Sequence, residues 1–393
     1  MIVTDQRPAP HRVVIAGGGI AGVEAVLALR ALAGDAVDVT VVDPGRRFMV
    51  PGTATGRAFG VGTGVDLRLA DVVHRAGAAL VGGRLAAVDA RRSVVTLEGG
   101  EVLSFEALIV AVGATPVPAV PGALTFTGPR EVEAVRGMMD DVSRRALRGA
   151  GVEMAVVVPP GCGWPLAAYE LALMAREHLL GQEGGAAVPI CVVTSEDAPL
   201  GLFGAHASAV VQRALARSGV DVRTDAAVRS WEAGCLRLTD GGSIWADRAI
   251  ALPVYRGLAI GGLPADARGF IPTCPGGRVP GAPGVWAVGD GTSNPVKQGG
   301  LACRQADAAA AEIAAGFGVP VDAEQEATPL SGWLWDGRRG RSLPSGRPVP
   351  GVESGAPPPL WPVAKIGGRH LAPFLHGLVA AHSRGGEPVG VPA

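Results

Sequence analysis

The chain has 393 residues, 48% of them hydrophobic, with 35 Lys plus Arg against 36 Asp plus Glu and a net charge of −1. That length accommodates more than one domain with its own core, and the balanced charge argues against nucleic acid as a partner. Apolar runs are short and interrupted by Gly, Pro or charge, so no membrane-spanning helix is expected. The polar first ten residues do not read as a secretory signal, and a cytoplasmic location is expected. The five cysteines, Cys162, Cys191, Cys235, Cys274 and Cys303, show neither C-x-x-C nor zinc-like spacing, which suits reduced thiols and predicts no metal site. Lys297 and Lys365 are the only lysines among many arginines, so each lysine carries more information than each arginine.

The first predicted element is a buried strand, residues 11–16, that runs into Gly17-Gly18-Gly19-Ile20-Ala21-Gly22 and then a helix over 23–32. Gly17 permits the tight turn, Gly19 lets a pyrophosphate approach the backbone, and Gly22 lets helix and strand pack closely. The helix start at Ile20 and Ala21 offers amides and a positive dipole end to phosphate. A second strand over 37–42 ends in Asp43-Pro44, which sets the Asp43 carboxylate to accept hydrogen bonds from an adenosine ribose. Residues 67–76 pattern as a helix, and 84–89, 93–97 and 102–105 as a small antiparallel insertion. The apolar stretch 107–112 then ends in Gly113-Ala114-Thr115-Pro116, a crossover leaving the nucleotide-binding sheet, with Ala111, Gly113 and Ala114 at its end.

A helix over 130–147 leads into a second α/β unit inserted into the first. Its strand-turn-helix spans 152–180, followed by a strand at 188–194, a helix at 205–218 and further strands to 252. Here the glycine turn is altered to Pro159-Pro160-Gly161-Cys162-Gly163-Trp164-Pro165. The prolines remove two amides, and Trp164 adds bulk where a pyrophosphate needs open backbone, so tight nicotinamide binding is not expected. Glu196 reads either as a ribose ligand or, more simply, as part of a solvated turn. Cys162 precedes a helix opened by Pro165, a position where a helix N-terminus lowers a thiol pKa. Three readings of it stand: an inert buried thiol, a nucleophile toward a soft substrate, or one half of a redox pair with Cys303.

The chain returns with a strand, 284–288, ending in Gly289-Asp290, where a carboxylate can bond a ribitol hydroxyl. The stretch 295–302 follows and opens a helix to about 315. Gln298, Gly300 and Leu301 at that helix start present amides and a positive dipole end. Lys297 beside it reads as a cation for an anionic ring or a quinone oxygen, or as a surface lysine. Glu170 reads as a proton carrier or as a satisfied helix carboxylate.

Three matches, residues 17–43, 111–116 and 289–302, resemble the FAD-dependent pyridine nucleotide-disulfide oxidoreductase superfamily. Within it, the turn 161–165 with Tyr169-Glu170 resembles the branch of sulfide:quinone oxidoreductases and type II NADH dehydrogenases. The resemblance covers roughly residues 11–317. It implies an α/β fold of two interleaved Rossmann-like dinucleotide-binding domains with a C-terminal tail. The expected bounds are 1–118 with 253–320 for the FAD-binding domain, 119–252 for the second domain and 321–393 for the tail. It further implies bound FAD and electron transfer from a small-molecule donor to a quinone-type acceptor, with Cys162, Lys297 and Glu170 as the residues doing chemistry. In sulfide:quinone oxidoreductases the cysteine of this turn works with another from the C-terminal region, and no cysteine follows Cys303. An NAD(P)H-dependent quinone reductase and a non-catalytic flavin-binding sensor are the alternative expectations.

The tail is basic, with Arg338, Arg339, Arg341, Arg347, Lys365, Arg369 and Arg384 against Glu353 alone between 337 and 386. It contains a Pro/Gly-rich stretch, Pro344 to Pro362, and then an apolar stripe, Leu371, Phe374, Leu375 and Leu378, on a helix expected to begin near Pro373. Such a tail suits peripheral docking on the inner face of an anionic bilayer, or else folding back on the flavin domain or a homodimer contact.

Overall fold

Strand His11–Ala16 ends in four consecutive buried residues. A strand with no polar face must lie inside a sheet covered on both sides, which favours parallel neighbours. In the computed structural model, which describes residues 9–62, 64–321, 331–338, 340–344 and 363–384, it pairs in parallel with Val37–Asp43 on one side and Ala107–Val110 on the other. Ala79–Gly82 and Val285–Ala287 complete a parallel sheet of five strands, ordered 285–287, 107–110, 11–16, 37–43, 79–82. The strand order reverses between 11–16 and 107–110, the place where open α/β sheets bind ligands at their carboxyl ends. Gly17 and Ala111 emerge there.

The second sheet is also parallel, ordered Leu124–Thr125, Arg248–Ala251, Met154–Val158, Ile190–Thr194, Asp221–Arg223. Its switch point lies between 154–158 and 248–251, where Pro159 and Leu252 leave the sheet. A two-stranded antiparallel ladder, Thr115–Val117 with Val254–Arg256, carries the chain out to this unit and back. The predicted insertion is a three-stranded antiparallel sheet, Leu85–Asp89, Val94–Leu97 and Val102–Ser104. Residues 67–76 split instead into a short strand, Asp66–Arg68, and a helix, Leu69–Arg75, because Leu67 is taken up by pairing with Phe48.

Helix Ile20–Ala33 packs along helix Gly299–Gly316. Small residues face each other there, among them Ala21, Ala25, Ala302, Ala306 and Ala309, all buried in one core. The tail helix, Leu371–Arg384, begins two residues before Pro373, which its first turn tolerates. Its predicted stripe does not face a bilayer: Leu371, Leu375 and Leu378 are buried in the first domain's core, and Phe374 packs against it. Of the expected alternatives, the tail folds back, since the apolar face that would enter a membrane is spent on the protein's own core. No helix among the described residues is long and apolar enough to cross a membrane. The hairpin Ser331–Trp335 with Gly340–Pro344 packs on the second domain. The rest of the Pro/Gly-rich stretch, with Arg339, Arg347 and Glu353, lies outside the described residues.

Candidate functional site

A cavity of about 910 Å³ opens where the two sheets' switch points and the tail converge. It is near the upper end of the roughly 300–1,000 Å³ that ligand sites occupy. Gly17, Gly19, Ile20, Ala21, Asp43, Pro44, Ala111, Gly113, Ala114, Gly289, Asp290 and Gln298 all line it. Cys162, Glu170 and Lys297 line it too, so elements far apart in sequence meet at one wall.

The glycine turn divides its labour. Gly17 adopts φ +114°, and a Cβ there would lie 2.2 Å from the Ala111 carbonyl oxygen. A Cβ on Gly22 would lie 1.8 Å from the Gly17 carbonyl oxygen, so Gly22 serves helix-to-turn packing and does not reach the cavity. Around Gly19 nothing lies within 4 Å of an added Cβ, although the residue lines the cavity. That bare backbone at a helix start is the cradle a pyrophosphate requires, and the residues present fit the expected FAD.

Asp43 lies at the expected strand end, but its carboxylate also braces the turn. Oδ2 accepts from Gly18 N at 2.7 Å and Oδ1 from Gly45 N at 2.6 Å. Each oxygen can accept a second bond, which leaves capacity for a ribose. At the other end, Gln298 caps helix 299–316 by accepting from Leu301 N at 2.7 Å. The Leu301 amide expected to face the ligand is therefore taken, and neither Leu301 nor Gly300 lines the cavity. Gly300 instead admits the tail, since a Cβ there would lie 2.8 Å from the Ile366 carbonyl oxygen.

Lys297 is no surface residue; it is 8% exposed. Its Nζ donates to the carbonyls of Asp290 (3.0 Å) and Thr292 (2.8 Å) and sits 3.8 Å from the centre of the Phe270 ring. Burial lowers its pKa to about 8, against the opposing pull of Asp290. Asp290 is itself raised by burial, a shift that Lys297 offsets in part. The Lys297 stem packs on Gly163, where a Cβ would lie 2.5 Å from its Cγ, and Lys297 N donates to Gly163 O at 3.0 Å. The altered turn and the lysine loop are thus laced together.

Cys162 corrects the expectation of a thiolate. Burial pushes its pKa up to about 12, outweighing the Trp164 amide that favours ionisation, and Glu196 adds to the rise. Desolvation here exceeds what the helix start supplies. The pairing with Cys303 also fails: both cysteines are free, and Cys303 is wholly buried in the first domain's core, away from the cavity wall. Burial, then Glu24 and Asp307, raise its thiol pKa.

The altered turn is braced from within the second α/β unit. Trp164 packs on Phe203 with ring centres 5.3 Å apart. Glu196 is held inward and is not a freely solvated turn residue, because its Oε2 accepts from the buried Tyr169 hydroxyl and from Thr194 Oγ1 (3.0 Å). The hairpin closes over this layer, and a Cβ on Gly332 would lie 3.1 Å from the Phe203 ring.

Glu170, buried to 1% exposure, is fully satisfied. It accepts from Lys365 Nζ (2.6 Å), Thr55 Oγ1 (3.1 Å) and Trp335 N (3.0 Å). Lys365 and Ile366, from the tail, and Tyr255, from the crossing ladder, complete the wall. Lys365 was legible in sequence only as one of two lysines, and Tyr255 as one of two tyrosines; neither carried a motif. Among the described residues no group of His, Cys, Asp and Glu side chains could hold a metal ion.

The profile of the pyridine nucleotide-disulphide oxidoreductase family matches residues 11–312. An NADH dehydrogenase-like protein of Mycobacterium tuberculosis is 29% identical over 305 residues, covering 71% of this chain and 72% of that protein. The ferredoxin–NAD(+) reductase component of the p-cumate 2,3-dioxygenase system of Pseudomonas putida is 28% identical over 226 residues, and the alignment spans 55% of this chain and half the length of that protein. The sulfide:quinone oxidoreductase of Aquifex aeolicus shares the fold, with a TM-score of 0.76 at 17% identity, over 97% of this chain and 93% of that one. The chain therefore belongs to the pyridine nucleotide-disulphide oxidoreductase family and is an FAD-dependent oxidoreductase.

Proposed function

We propose that this oxidoreductase passes electrons from a small sulfide-class donor to a quinone-type acceptor. The observation that carries the reading is the altered turn. The turn carries two prolines and the bulk of Trp164, which packs on Phe203, where a second dinucleotide would need open backbone, and it offers the cavity a cysteine instead. The near-complete overlap with the fold of the Aquifex enzyme supports it at the level of architecture.

Gly17, Gly19, Ile20 and Ala21 would hold the FAD pyrophosphate, Asp43 and Pro44 the adenosine, Ala111, Gly113 and Ala114 the crossover side, and Gly289, Asp290 and Gln298 the ribitol and ring. Gly22, Gly300 and Leu301 support this set through the backbone. Bound FAD supplies two-electron transfer between donor and acceptor. Cys162, protonated at neutral pH, gives a soft, uncharged contact to a sulfur donor. The Lys297 ammonium balances negative charge at the helix start, and the Glu170–Lys365 ion pair forms the polar part of the wall that an acceptor oxygen would meet.

Anaerobic stopped-flow bleaching of the purified flavoprotein by sulfide, NADH and NADPH in turn tests the reading. Sulfide is expected to bleach fastest, and Cys162→Ser to slow it at least about tenfold. Unchanged reduction of the variant by sulfide would sink the role of Cys162. The names of the mycobacterial and Pseudomonas relatives favour a second reading, an NAD(P)H-dependent reductase, for which NADH or NADPH bleaches first. A non-catalytic flavin-binding sensor predicts a protein bleached by none of the three.

Lys297 adds a pH signature. Its ammonium is lost as pH rises through about 8, so the sulfide bleaching rate is expected to fall across that point, and Lys297→Met to abolish the break. A break that persists in the variant belongs to another group.

A further inference from the structure

We propose that residues 363–384 form a clasp over the cavity, and that Glu24 with Asp307 is the positioning pair that determines whether the clasp is shut. Glu24 lies wholly buried on helix Ile20–Ala33, yet its carboxylate serves the tail: Oε1 accepts from His370 N at 3.0 Å and Oε2 from Leu371 N at 2.6 Å. Those are the first amides of the tail helix, so a core carboxylate caps an element that arrives about 345 residues later in the chain. The fit is tight. A Cβ on Gly368 would lie 2.9 Å from Cys303 Sγ and 3.0 Å from Glu24 Oε2. Only a few residues upstream, the same segment sets Lys365 and Ile366 into the cavity wall. Whatever holds residues 370 and 371 also holds Lys365 against Glu170.

Asp307, on helix Gly299–Gly316, is the carboxyl that interacts most strongly with Glu24. Its Oδ1 is buried without a hydrogen bond, with His370 Nε2 4.0 Å away. Two touching carboxylates in a desolvated site cannot both ionise cheaply. Burial and Glu24 together raise Asp307 to about 7, so below that pH the shut clasp holds a proton shared between Asp307 and Glu24. The titratable and charged groups facing the pair are Cys303, on the helix of Asp307 and itself beside Arg304, and Arg369 and His370 on the tail. Arg369 favours ionised Asp307 and is outweighed by burial and Glu24.

The direction of the pH dependence follows. The shut state binds the Asp307 proton more tightly than an opened, solvated Asp307 would, so closure is favoured at low pH and weakens as pH rises through about 7. With the opened carboxyl at its ordinary value, the opening constant rises about tenfold between about pH 6 and pH 8.

Hydrogen exchange of the flavin-loaded full chain, corrected for intrinsic exchange rates, tests this. Protection of the tail-helix amides is expected to fall about tenfold from about pH 6 to pH 8, while strand Ala107–Val110 stays constant as an internal reference. Asp307→Asn should remove the pH dependence of the tail and keep the fold, and Glu24→Gln should lower tail protection at both pH values. Flat protection in the unaltered protein, or an undiminished slope in Asp307→Asn, overturns the proposal. Neither readout involves donor or acceptor, so failure here leaves the proposed function standing, and the reverse holds equally.

Discussion

Gly19→Val is expected to yield a folded protein that purifies without flavin, whereas Gly22→Ala is expected to damage the fold itself. The two glycines sit three residues apart in one turn, and the structure gives them opposite surroundings. A side chain on Gly19 meets nothing within 4 Å and grows into the cavity, where it occupies the phosphate cradle and masks the helix-start amides. The loss should appear as absent visible flavin absorbance with a far-UV circular dichroism spectrum like that of the unaltered apoprotein. A Cβ on Gly22 meets the Gly17 carbonyl oxygen at 1.8 Å, a backbone atom that no side-chain rotation can move away. Overpacking of this kind costs about 3 kcal/mol, the upper part of its usual range, read as a lower midpoint in chemical denaturation of the apoprotein. Retained flavin in Gly19→Val, or unchanged stability in Gly22→Ala, would show that the turn is not built as described.

Lys365→Met is expected to be the most destabilising single change in the tail. It removes the cation from a pair whose side chains are 11% and 2% exposed and strands the Glu170 carboxylate against Thr55 and Trp335. Breaking one side of a buried pair costs about 3–5 kcal/mol, because the remaining charge stays desolvated. Removing both charges with Glu170→Gln and Lys365→Met should recover most of that loss, since the glutamine can still pair with Thr55 and the Trp335 amide. Urea denaturation of the four proteins closes the cycle. A cost below about 1 kcal/mol for Lys365→Met, the range of exposed pairs, would remove the ion pair from the account of the tail.

The cofactor side of the site was legible because local rules write it. A strand, a glycine turn, a helix and a strand ending in acid form a contiguous unit, and each member's job follows from backbone geometry within about thirty residues. Asp43, Gly17, Gly19, Gly289 and Asp290 could be named before any coordinate, and all line the cavity. Lys297 stood out by rarity and by its place beside a helix start.

The protonation and partnership of the reactive groups were not legible, since they depend on burial, and burial is settled by what packs from elsewhere. Cys162 read locally as a thiolate at a helix start, but the surrounding second domain desolvates it and reverses the sign of the shift. Cys303 stood among the readings of the sequence as a redox partner for Cys162, yet its position along its helix turns it toward Glu24 and Gly368. The tail's apolar stripe was evident from its spacing, but periodicity states only that a face must be covered, not by what. By itself the sequence determined an α/β dinucleotide fold, a dinucleotide cradle and an altered second turn, all products of short-range backbone chemistry, and its resemblance to a family implied FAD as the occupant. Only the tertiary structure decided that Trp164 packs on Phe203, that Glu170 is held by Lys365 and that the tail closes on Glu24, because each joins residues far apart in the chain or depends on how deeply a neighbour buries them.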